Sequence, residues 1–148
     1  MKRELTSVFV EVGRMEEAER IQVFRYLLNL VADVAQTFEC DIPPLERGDE
    51  EFVSAGRVLL EAGRSARSTG VLPATGLLRV GDPEVWEAFV QFAPKALDGT
   101  VWDKHGVDIV SFADQGRVLY GRLTPEQRQL LADRVGVEQV RSSPERGA

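Results

Sequence analysis

The chain has 148 residues, 43% of them hydrophobic and 28% charged, and carries a formal net charge of −6. This size and composition predict one globular domain, which we place at residues 1–140, and exclude an intrinsically disordered chain. The negative charge argues against nucleic acid and against an anionic membrane surface as partners.

The compartment is predicted from what the sequence lacks. The one cysteine, Cys40, cannot form an internal disulfide. The N-terminus has no long apolar run of the kind found in signal peptides. No window reaches the roughly 18 apolar residues that a membrane helix needs. We therefore expect a cytoplasmic protein.

The first half of the chain predicts one strand and two helices. Residues 7–12 alternate and contain three valines, which favours a strand, with a helix from Leu5 to Met15 as the alternative. From Glu16 to Phe38 the apolar residues recur at spacings of three and four, which predicts a long core helix. Pro43 and Pro44 end that region, and helical spacing resumes from Phe52 to Ala66.

The second half predicts a short strand, a helix, a meander and a last helix. Residues 77–80 form the short strand, and Asp82-Pro83-Glu84 is a typical helix start. The segment from Val101 to Leu123 predicts three strands joined by tight turns that end in glycine. Thr124 to Gln127 matches a capping box, which begins the last helix. Residues 141–148 are predicted to be a disordered polar tail.

Together these elements predict an α+β fold. An antiparallel meander of three to four strands is covered by the long core helix and three shorter helices. Residues 7–12 would supply the fourth strand by pairing with the meander.

An acidic segment is the first candidate for function. From Glu39 to Glu51 the chain has six acidic residues against Arg47 alone. Acids at a helix start are commonly just solvated, and such a cluster could also hold a hard cation. We favour a docking surface for a basic protein, because electrostatic steering needs only sign and clustering. The predicted partner-binding residues are Asp41, Glu46, Asp49, Glu50 and Glu51.

The loop at residues 62–76 is a second candidate. It carries Arg64 and Arg67 among small polar residues, so it could bind an anion, although a solvated arginine loop is the competing interpretation. His105 is the only histidine, which excludes a site with several histidines and leaves one imidazole for acid–base chemistry. Its place in a predicted turn is equally typical of a solvated side chain.

Cys40 is not predicted to be a nucleophile. Its neighbours Glu39 and Asp41 are acidic and raise the pKa of a thiol, so we interpret it as a half-buried cysteine at a helix end.

We therefore predict a small, acidic, non-catalytic binding protein that works through protein–protein interaction. An inhibitor or immunity-type protein that neutralises a basic partner is the concrete form of this hypothesis. The alternative is a small-molecule or anion-binding, enzyme-like protein that uses the loop at 62–76 and His105. No cofactor and no metal are predicted, and the oppositely charged segments could pair with each other or across a homodimer.

Overall fold

The computed structural model describes residues 4–45, 48–63 and 74–143. These ranges contain four α-helices and seven strands, which gives the α+β class. In chain order they are β1 (Thr6–Val10), α1 (Glu17–Val31), β2 (Ala35–Cys40), α2 (Glu50–Ala62), β3 (Leu78–Arg79), α3 (Pro83–Phe92), β4 (Asp98–Asp103), β5 (Asp108–Ala113), β6 (Val118–Leu123), α4 (Pro125–Val135) and β7 (Val140–Ser142). Short 3₁₀ turns at Ala93–Lys95 and Val137–Gln139 follow α3 and α4.

The strands form a single antiparallel sheet in the order β3-β2-β4-β5-β6-β1-β7. Its centre is the meander β4-β5-β6, which matches the prediction in part, since β4 begins at Asp98 and not at Val101. The N-terminal strand pairs with β6, as expected. The predicted count of three to four strands is wrong, because β2, β3 and β7 extend the sheet on both sides.

The largest error concerns the long helix. α1 ends at Val31, and residues predicted as its last turns form β2. In β2, Phe38 and Cys40 are buried while the intervening Glu39 is exposed, which is the alternation of a strand. Pairing with β4 along the whole strand supplies backbone hydrogen bonds that a helix would otherwise provide.

The helices lie on one face of the sheet. The Phe24 ring of α1 is 4.8 Å from the Phe112 ring of β5, and the Phe89 ring of α3 is 4.3 Å from the Phe38 ring of β2. α2 packs against α3, and α4 packs against α1. The core therefore lies between the sheet and a single layer of helices, as predicted for the long helix.

Both predicted turns of the meander are confirmed. Gly106 and Gly116 have φ values of 76° and 80°, in the region that favours glycine. The first turn is also held by Asp103, whose Oδ1 accepts hydrogen bonds from the backbone N–H groups of His105 at 2.8 Å and Val107 at 3.0 Å.

The predicted helix starts are confirmed as well. The Asp82 carboxylate accepts hydrogen bonds from the N–H groups of Glu84 and Val85. The Thr124 hydroxyl accepts from the N–H of Gln127, and the Gln127 side chain accepts from the N–H of Thr124.

The C-terminal prediction needs one correction. Arg141 and Ser142, assigned to a polar tail, belong to β7, which pairs with β1 opposite Phe9 and Val8. Ser143, whose N–H donates a hydrogen bond to the carbonyl oxygen of Ser7, continues this pairing, and residues 144–148 lie outside the described residues. No helix in the described ranges is both long and apolar enough to cross a membrane.

Candidate functional site

An open cleft of about 560 Å³ lies where the starts of α1 and α2 meet the 3₁₀ turn after α3 and the β5–β6 turn. Its volume falls in the range of ligand and side-chain binding clefts. Both signs of charge occur in its walls. The charged lining residues are Glu17, Asp49 and Glu51 together with Arg20, Lys95 and Arg117.

Lys95 joins the two helix starts. Its side chain is only 12% exposed, and its Nζ lies 3.0 Å from Asp49 Oδ1 and also pairs with Glu17 Oε1. The ammonium lies 5.2 Å from the centre of the Phe52 ring, in the range of a cation–π contact. One buried cation therefore contacts the residue before α2, the first residue of α1 and an aromatic ring of α2.

This arrangement alters the pKa of Lys95 and the pKa of Glu17. Burial lowers the pKa of Lys95, but the hydrogen bonds and charges of Glu17 and Asp49 outweigh that effect, so the pKa is raised. The Lys95 ammonium in turn lowers the pKa of Glu17. Both shifts favour the charged pair at neutral pH.

The predicted acidic residues separate into two groups. Asp41 is half-buried, and its Oδ1 accepts hydrogen bonds from the N–H groups of Leu97 at 2.8 Å and Asp98 at 3.2 Å. Burial raises the pKa of Asp41, and the two N–H groups act against that shift. This carboxylate holds the start of β4 against the end of β2, which is a structural role.

The other acidic residues lie at the start of α2. Asp49 pairs with Lys95 and lines the cleft. Glu50 is exposed and accepts a hydrogen bond from the Gly48 N–H at 3.2 Å. Glu51 is exposed and lines the cleft. The predicted residue Glu46 lies outside the described residues.

Four charged residues of the cleft were not predicted. They are Glu17, Arg20, Lys95 and Arg117. No local pattern in the sequence distinguishes these four residues from other charged residues. They come together through packing between elements that are far apart in the sequence.

Ala74 and His105 lie near opposite ends of β2. Arg64 and Arg67 lie outside the described residues, and Ala74, near the end of the loop at 62–76, forms a β-bridge with Asp41, directly after β2. His105 is exposed and follows Asp103, which lies opposite Ala35 at the start of β2. The length of β2 separates these positions by about 17 Å.

Cys40 lies at the end of β2 and is 3% exposed, so it is more buried than predicted and belongs to a strand, not a helix end. Burial raises the pKa of its thiol strongly, and the carboxylates of Asp41 and Glu39 add to the effect. A thiol in this environment remains protonated and is a poor nucleophile.

No metal centre emerges from the described residues. Within 4–45, 48–63 and 74–143, no group of three or more His, Cys, Asp or Glu side chains could hold a metal ion. Glu17 and Asp49 contact the ammonium of Lys95, and this differs from the oxygen cage that a hard metal ion requires.

A second, smaller hollow lies on the other face of the sheet. It has room for about one water molecule, with a volume of about 20 Å³, beside the pair formed by Arg122 and Asp108 at 3.5 Å. The hollow is too small for an organic ligand.

Comparisons of the chain with protein-family models, with curated proteins and with solved structures found no match.

Proposed function

We propose that the protein is a non-catalytic binding protein that captures a basic protein through an acidic rim. We define the acidic rim as the carboxylates at the starts of α1 and α2, which are Glu16, Glu17, Glu19, Asp49, Glu50 and Glu51. One observation carries the proposal. Lys95 fixes the two acidic helix starts side by side around an open cleft, and all of these carboxylates except Asp49 belong to exposed residues.

The charge balance supports attraction of a cation. The rim has six carboxylates, whereas the cleft offers three cations, Arg20, Lys95 and Arg117. Lys95 is already engaged by two of the carboxylates, and Arg117 lies 3.5 Å from Asp114. Negative charge at a helix start is also stabilised by the helix dipole.

The geometry supports a protein ligand with lysine or arginine side chains. Exposed charges clustered on one side steer an oppositely charged protein and fix its orientation, even when each pair adds little affinity. An open cleft of this size accommodates one long basic side chain, whose stem would pack beside the half-buried Ile21. An inhibitor or immunity-type protein that neutralises a basic partner is the specific form we propose.

A capture experiment tests the proposal. The tagged full chain is used as bait in an extract of the cells that produce it, at about 50 mM and about 300 mM salt. Glu50→Gln/Glu51→Gln removes two exposed carboxylates from the first turn of α2. The matched control is Glu84→Gln/Glu126→Gln, which removes the first-turn carboxylates of α3 and α4. Both variants change the net charge equally.

The expected result is a basic protein that the wild type and the control retain at low salt and that the rim variant loses. Equal losses in the two variants would show that only net charge matters and would contradict the proposal. So would the absence of any captured protein together with a thermal-shift response to inorganic phosphate or another small anion, which would favour the anion-binding alternative.

A further inference from the structure

No helix of the described residues, 4–45, 48–63 and 74–143, lies on the second face of the sheet. Six neighbouring strands each contribute one residue to a row that crosses this face. Each residue lies directly opposite the next one on the adjacent strand, so all six side chains share the face. From β2 to β7 this row is Glu39, Thr100, Ser111, Tyr120, Phe9 and Arg141.

The row faces away from the helices. In β2 and β5 the alternate residues Phe38 and Phe112 are buried and contact Phe89 of α3 and Phe24 of α1. Residues of the row are half-buried or exposed, and Trp102 lies beside them, opposite Thr37. We call this surface the open face.

The open face has a mixed aromatic and hydroxyl centre. The Phe9 and Tyr120 rings are 5.2 Å apart, and Thr100 and Ser111 complete the middle of the row. Aromatic residues with few charges among them are typical of the centre of a protein interface. The charged residues of the row are at its two ends, where Glu39 and Arg141 are both exposed.

We propose that a second copy of this chain packs on the open face, about a two-fold axis parallel to the strands. Such an axis reverses the order of the strands in the second copy. β2 of one copy then lies over β7 of the other, β4 over β1, and β5 over β6. Glu39 then meets Arg141 of the partner subunit, and this contact occurs twice. Asp108 on β5, which already pairs with Arg122 of its own chain, also comes to lie near Arg122 of the partner subunit.

The alternative two-fold axis, perpendicular to the strands, is disfavoured. It would set Glu39 against Glu39 of the partner subunit and Arg141 against Arg141 of the partner subunit, which is unfavourable for like charges. Both axes leave the strands of the two sheets nearly aligned, the usual arrangement when two sheets pack face to face, so the charges at the two ends of the row distinguish the axes.

The area is sufficient for a modest dimer. Six strands about 4.8 Å apart and about five residues long give a flat footprint of roughly 29 by 17 Å on each copy. Because side chains make the accessible area larger than this footprint, the buried total approaches the roughly 1,200 Å² at the lower end of specific interfaces. We expect the dissociation constant of the dimer to lie in the micromolar range. The acidic rim is on the helix side, so this dimer does not depend on the proposed partner.

A charge swap tests the symmetry. Sedimentation equilibrium of the full chain from about 1 to 200 μM gives the dimer dissociation constant for the wild type, Glu39→Arg, Arg141→Glu and the double variant. Each single variant places like charges together twice and should raise the constant at least about tenfold. The double variant exchanges the charges and should return it to within about threefold of the wild type. Thermal melting verifies that all four proteins are folded.

A wild type that stays monomeric at 200 μM would overturn the proposal. Unchanged dissociation in the single variants would do so as well, because the ends of the row would then lie outside the interface. Single variants that dissociate without rescue in the double variant would exclude the parallel two-fold axis.

Discussion

Replacing Lys95 with methionine tests whether one cation holds the two helix starts together. Methionine keeps an apolar stem over the Phe52 ring and removes the ammonium. The Asp49 side chain is 19% exposed, so its charged hydrogen bond is worth about 1.5–2 kcal/mol. The Glu17 side chain is 59% exposed, so its pair adds at most about 0.5 kcal/mol. With some packing regained, we expect Lys95→Met to lower the free energy of unfolding by about 2 kcal/mol.

Urea unfolding followed by circular dichroism measures this change, and double-mutant cycles assign it. The coupling between Lys95→Met and Asp49→Asn should be about 1–2 kcal/mol. The coupling with Glu17→Gln should be no more than about 0.5 kcal/mol, because solvent screens an exposed carboxylate. A Lys95→Met protein as stable as the wild type would refute this reasoning, and so would a larger coupling to Glu17 than to Asp49.

The difference in the free energy of unfolding between the wild type and Lys95→Met should depend on pH. The pKa of Glu17 is lowered by folding, so its stabilisation is present above the ordinary value of 4.5 and is lost as pH falls through the folded pKa. The pKa of Lys95 is raised, so its contribution is present below 10.5 and is lost as pH rises through the folded pKa. This difference in the free energy of unfolding should therefore be constant between about pH 4.5 and pH 10.5, and it should become smaller at lower and at higher pH.

Three further predictions concern the packing around the sheet. Gly99→Ala would place a Cβ 2.1 Å from the Phe112 ring and should lower the free energy of unfolding in urea by at least about 2 kcal/mol. The control is Gly81→Ala, where the added Cβ would meet no atom within 4 Å. It should change the free energy of unfolding by less than about 0.5 kcal/mol. Thr75→Val leaves the Cys40 N–H without its 3.1 Å acceptor and should cost about 1–3 kcal/mol, with Thr75→Ser costing less. The Cys40 thiol should react with a disulfide reagent at pH 8 only at the rate of unfolding, and reaction as fast as a free thiol would contradict its burial.

The elements predicted from the sequence are those in which local signals agree. Turn glycines, alternating residues and a capping box mark the meander and α4, and the structure has both. β2 was missed because Val34, Ala35 and Phe38 continue the spacing of α1, and neither glycine nor proline marks the helix end. Its strand conformation depends on pairing with β4, about sixty residues later, which is a non-local contact that no local window contains.

The candidate site shows the same limit. The acidic start of α2 is a local block of sequence and was predicted. Lys95 was not, because its pairing with Glu17 spans 78 residues. Asp41 belongs to the same acidic segment, but its carboxylate accepts hydrogen bonds from the backbone N–H groups of Leu97 and Asp98, at the start of β4. Charge composition alone does not distinguish a carboxylate that binds a partner from one that accepts hydrogen bonds from the backbone of its own chain.

Zero-length carbodiimide cross-linking tests the proposed function most directly. The reagent joins carboxylates to lysines in contact, and peptide mass spectrometry locates the linked residues in the complex with the captured protein. We expect links from Glu50 and Glu51 to partner lysines, with loss of the complex at high salt. Links that arise only from Glu84, Glu126 or other carboxylates remote from the two helix starts would show that the partner binds elsewhere and would contradict the account.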